Sequence, residues 1–99
     1  MVKMIKVIKK DNLIIIKGHA GSGEYGKDIV CAACSSIIYT TINALKRINE
    51  KSIEVIDKKD MQIKIIGNDE ITNILINNML DLLSSLESQY PKNIIVKEN

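Results

Sequence analysis

From Val2 to Ile8 the chain alternates loosely between lysine and β-branched residues, and after the turn cluster Lys10-Asp11-Asn12 comes the run Leu13-Ile14-Ile15-Ile16-Lys17. That pattern predicts a hairpin. Ser52 to Asp57 and Met61 to Ile66 form a second alternating pair around Lys58-Lys59-Asp60, with Ile53, Val55, Ile63 and Ile65 as the in-facing positions. Between the hairpins a helical period takes over, with Asp28 placed as N-cap and the helix running to about Asn49. A second helix is expected after Gly67-Asn68-Asp69-Glu70, where a turn glycine precedes a capping asparagine and two carboxylates meet the positive end of the helix dipole. Ile71, Ile74, Leu75, Asn78, Leu82, Leu83 and Leu86 trace its apolar stripe to about Gln89. Tyr90-Pro91 ends it, because the residue before proline is pushed out of the α region, and Asn93 to Lys97 reads as a last short strand.

The order β-β-α-β-β-α-β predicts an α+β fold, a two-layer sandwich with two helices on one face of a mixed sheet. Ninety-nine residues suit one domain, residues 1–99, large enough to bury a single core without metal or disulfide help. The two β-β-α halves repeat in order but not in residues. The second has no counterpart of the glycines and thiols found in the first.

Composition narrows the function classes. Hydrophobic residues make up 45% of the chain but only three are aromatic, all tyrosines, so platforms for stacking bases are nearly absent. Net charge is +2 and the lysines are scattered, which speaks against a nucleic-acid partner. The start, Met1-Val2-Lys3-Met4-Ile5-Lys6, lacks the pattern of a signal peptide, and an uncharged apolar run such as Leu13 to Ile16 falls far short of the ~20 residues that span a bilayer. The expectation is a cytoplasmic protein without a membrane partner, whose thiols stay reduced.

Chemistry concentrates between Lys17 and Ser36, which holds both cysteines, the single histidine and four of the five glycines. On a helical wheel with Ile37 as origin, Val30, Thr41, Leu45 and Ile48 fall at roughly 20° to 80° and Cys34 at roughly 60°, inside the apolar stripe. Cys31 falls at roughly 120°, on the flank, beside Ser35 at roughly 160°. Cys34 therefore reads as a core thiol. Cys31, as third helical residue after an Asp28 cap, sits where unsatisfied amides and the dipole favour a thiolate, and His19 at the end of the second strand is the one imidazole available to it. A small half-buried thiol and a strand-end histidine that never meet is the competing reading.

Three other constellations compete. Cys31-Ala-Ala-Cys34 has the spacing of a thiol-disulfide oxidoreductase, although the first thiol of such a pair usually sits at the helix mouth. One histidine and two cysteines are a ligand short of a structural zinc site, so no metal and no cofactor is expected. Gly21 to Asp28 has phosphate-loop spacing, but Asp28 stands where a hydroxyl must ligate magnesium, and with Glu24 it adds negative charge. Gly21, Gly23 and Gly26 read instead as a mobile cover over the Cys31 site, with Tyr25 contacting substrate or anchoring the loop.

Gly18-His19-Ala20 followed by Gly26-x-Asp28-Ile29-Val30-Cys31-Ala32-Ala33-x-Ser35 closely resembles the ribosomal-processing cysteine proteases, the Prp family. The resemblance extends along nearly the whole chain. It implies a small homodimeric cysteine endopeptidase that removes the N-terminal extension of large-subunit ribosomal protein twenty-seven. Cys31 would be nucleophile and His19 its base, with Asp28 and Ser35 supporting and the intervening loop reorganising on substrate. Cys34 departs from the family, which more often has valine or another small apolar residue there. A thiol-disulfide oxidoreductase using Cys31 and Cys34, or a non-enzymatic ribosome-assembly factor, are the alternatives.

Overall fold

A computed structural model describes residues 4–18 and 28–98. Five strands, β1 (Ile5–Lys10), β2 (Leu13–Lys17), β3 (Ile53–Asp57), β4 (Met61–Ile65) and β5 (Ile94–Glu98), form one sheet in the order β3-β4-β2-β1-β5. β1 and β5 run parallel and every other neighbouring pair is antiparallel, so the sheet is mixed as expected. The helices α1 (Asp28–Ile48) and α2 (Glu70–Gln89) cover one face.

Strand alternation sets that face. Ile5 and Val7 of β1, Ile14 and Ile16 of β2, Met61 and Ile63 of β4, Ile53 of β3 and Ile94 of β5 are all buried toward the helices. Each fully buried aliphatic side chain of this kind contributes about 1.5–3 kcal/mol relative to exposure. β1 begins at Ile5 and extends to Lys10 rather than spanning Val2 to Ile8, because Lys9 and Lys10 pair with Ile14 and Leu13 across a tight turn. Asp11 makes that turn at a φ of 55°, a left-handed conformation that aspartate tolerates better than most residues.

Both helices correct the wheel drawn from sequence. In α1, Val30, Cys34, Ile38, Thr41, Ile42 and Leu45 are buried, whereas Ile37 is only half-buried and Ile48 is 56% exposed. The buried arc thus spans roughly 20° to 140°, wider than the stripe of roughly 20° to 80° expected, with Cys34 inside it as expected and Ile48 outside the core. α1 is also long and apolar enough to cross a membrane, with mean hydropathy 1.4 over Ile29–Ile48, because its serines and threonines interrupt an apolar run without lowering hydropathy much. In this fold it packs beside α2 on the covered face of the sheet and contributes to the core.

In α2 the departure is larger. The buried residues are Thr72, Ile76, Met79, Leu80, Leu83 and Leu86, while Ile71, Ile74 and Leu82 are 50%, 56% and 45% exposed. The true stripe is rotated by about a quarter turn. The cap fixes that rotation: Asp69, not Asn68, is the N-cap, and its carboxylate accepts from the Thr72 amide at 3.1 Å and from the Thr72 hydroxyl at 2.8 Å. A threonine satisfied in this way is buried without an unmet polar atom. Those hydrogen bonds hold the Asp69 carboxyl below its usual range.

Candidate active site

The end of the sandwich that matters is defined by the start of β1, the end of β2 and the start of α1. β2 leaves the sheet through Gly18, whose φ of 75° lies in the left-handed region. A Cβ there would stand 2.5 Å from the Met4 carbonyl oxygen, so glycine is required twice, for conformation and for the close approach of β1. The next nine residues are outside the described part of the chain. His19 and the cover-loop positions Gly21, Gly23, Tyr25 and Gly26 fall there, as does the phosphate-loop spacing.

The chain re-enters at Asp28 as the first residue of α1. Asp28 is therefore helical rather than the preceding cap, and Cys31 is the fourth residue of the helix instead of the third. Its side chain is not among those described. The thiol still lies in the first turns, where backbone amides have no intrahelical acceptor and the dipole is positive.

Cys31 is half-buried and packs against the core cluster. Its wheel position, roughly 120°, lies between those of the buried Ile38 and Ile42, so it belongs to the buried arc and not to the flank. Ser35, one turn further on, is half-buried as well. Ile29, two residues before Cys31 but on the other side of the helix, is 64% exposed.

Cys34 contrasts with Cys31. It has no exposed surface, and burial first, then the charge of neighbouring Cys31, pushes its thiol up to about 12. At neutral pH it is a protonated, inaccessible core side chain. No disulfide joins the two cysteines. Burial and the raised pKa disfavour Cys34 as the second, resolving thiol of an exchange pair.

A half-buried thiol presented by the first turns of a helix is an arrangement suited to acyl transfer onto sulfur. The family model of cysteine protease Prp matches residues 1–95 of the chain. A ribosomal processing cysteine protease Prp of Staphylococcus aureus is 33% identical over 86 residues, covering 82% of this chain and 80% of that protein. The protein of the same name from Mycoplasma genitalium is 31% identical over 98 residues, covering 96% of both. A crystal structure of the Staphylococcus aureus protease with a covalently linked product peptide superposes with a TM-score of 0.85 at 27% identity, covering 97% of this chain and 100% of that one. The oxidoreductase and non-enzymatic readings are thereby set aside: the chain belongs to the cysteine protease Prp family and is a cysteine protease.

Proposed function

We propose that this enzyme removes the N-terminal extension of large-subunit ribosomal protein twenty-seven, acting in the cytoplasm as a homodimer through a Cys31/His19 dyad. The observation that carries the reading is the contrast between the thiols: Cys31 is accessible in the first turns of α1, and Cys34 is sealed in the core. The relatives' naming for ribosomal processing, and the product peptide covalently linked to the Staphylococcus aureus protease, supply the substrate class.

In this reading His19 takes the Cys31 proton, and the thiolate attacks a backbone carbonyl of the extended substrate segment. Amides at the start of α1 donate hydrogen bonds to the oxyanion. The His19 imidazolium gives its proton to the leaving amine, and water then attacks the thioester, releasing the new carboxylate and restoring the thiol. Asp28 and Ser35 support the dyad. Gly21, Gly23, Tyr25 and Gly26 form the part that contacts and covers substrate.

Incubation of the enzyme with the host's full-length ribosomal protein tests the assignment. Cys31→Ala is expected to abolish cleavage and the covalent adduct seen by mass spectrometry, while Cys34→Ala retains both. Loss of cleavage in both variants, or in neither, overturns the assignment of the nucleophile.

A further inference from the structure

The sheet has a second face, turned away from α1 and α2. The positions alternating with the buried ones place Ile8, Leu13, Ile15, Ile56 and Ile95 there, each half-buried. Register aligns four strands of this face into one row: Ile56 opposes Gln62, Gln62 opposes Ile15, and Ile15 opposes Ile8. At the usual spacing of neighbouring strands that row is roughly 14 Å long. It is a largely apolar stripe running across the strands, interrupted on β4 by Gln62.

Lysines flank the stripe on both sides. The row toward the β1–β2 turn holds Lys64, Leu13 and Lys10, with Glu54 beyond them as the one carboxylate of these strands on this face. The row on the other side sets Lys6 directly opposite Lys17, and Lys97 continues the stripe beyond Ile8. Like charges paired across strands destabilise a sheet, so the Lys6–Lys17 pair is an arrangement that an incoming anion relieves. The chain as a whole is nearly balanced at +2, which makes this face a marked concentration of positive charge. Near the turn the surface dips into an open depression of about 540 Å³, walled by Ile8, Leu13, Ile15, Lys10 and Lys64, with Asp11 and Asn12 at its edge.

We propose that this face docks an acidic amphipathic helix of a partner protein. About three helical turns, laid across the strands, match the length of the stripe. Leucine- or isoleucine-type residues on one side of such a helix fill the row from Ile56 to Ile8, and carboxylates on its two flanks meet Lys10 and Lys64 on one side and Lys6 and Lys17 on the other. RNA is disfavoured because these strands place no aromatic side chain on this face. A second copy placed face to face sets lysine against lysine. The surface belongs to the opposite side of the sheet from α1, so its occupancy is independent of the proteolytic assignment.

Two synthetic helical peptides test it, sharing a leucine stripe but flanked by glutamates in one and lysines in the other. Backbone amide NMR of the labelled enzyme is expected to show saturable shifts at residues 8–15 and 62–66 with the glutamate-flanked peptide and much weaker ones with its counterpart. The double variant Lys10→Glu, Lys64→Glu weakens binding of the acidic peptide at least about tenfold and reverses the preference. Equal binding of both peptides, or shifts confined to α1 and α2, overturns the proposal. So does tighter binding of oligouridine at this face, or self-association that Ile15→Glu abolishes, which would give the surface to RNA or to a second copy.

Discussion

Cys34 ties stability to pH in a way the structure makes quantitative. Its thiol is fully enclosed and pushed from 9.0 to about 12 by burial and by the neighbouring Cys31. In the unfolded chain it ionises in the ordinary range, so above about pH 9 the unfolded state loses a proton that the folded state keeps. The folded pKa of this acid is raised; the associated stability is therefore present in full below the unfolded value and declines as pH rises toward the folded one. The slope is about 1.4 kcal/mol per pH unit, which integrates to a loss of about 2 kcal/mol between about pH 8 and pH 10.5. Against a typical total of about 5–15 kcal/mol this is a large fraction. Urea unfolding of the wild type and of Cys34→Val, under reducing conditions across that range, isolates the effect, because the tyrosines and lysines titrate alike in both. The two curves are expected to diverge steadily with pH, the wild type losing the additional stability. Parallel curves would refute the claim that the thiol is sealed and protonated.

Two further outcomes follow from particular side chains. Gly18→Ala forces a left-handed alanine whose Cβ meets main chain rather than a movable side chain, and is expected to lower unfolding free energy by about 2–4 kcal/mol in urea titration; a change within about 0.5 kcal/mol contradicts the described geometry. The exposed Ile71, Ile74 and Leu82 of α2 form a stripe with no basic residue on the helix, which supports α2 as the contact in the proposed homodimer. Ile74→Glu is expected to convert dimer to monomer in sedimentation velocity, and an unchanged sedimentation coefficient removes α2 from the interface.

The fold was legible because its cues are local. Two hairpin turns, a proline after the second helix and the change of period between strand and helix are each written within a few residues, and the structure follows them in class and element order. The face of α2 was not local in that sense. Ile71, Ile74 and Leu82 are as apolar as the residues that are buried, and what selects the other stripe is the Asp69–Thr72 cap, which buries a polar residue. A count of aliphatic positions has no means of seeing that a threonine has its hydrogen bonds met.

Cys31 shows the complementary failure. A helical wheel resolves the angle of a side chain about the axis but not its position along it, and a residue is accessible when either places it at an edge. From the sequence alone, Cys31 stands in the first turn of the helix and on the flank of the apolar stripe. The structure gives it an angle inside the buried arc and leaves it half-buried, one residue beyond the buried Val30. That difference bears on the chemistry. A flank thiol would be solvated along its whole length, whereas a thiol on the core-facing arc has apolar neighbours on one side and the start of the helix on the other. Cys34, one turn deeper along nearly the same arc, is closed off altogether. Depth alone does not separate the two thiols, because Val30, nearer the helix start than Cys31, is buried; angle and depth act together.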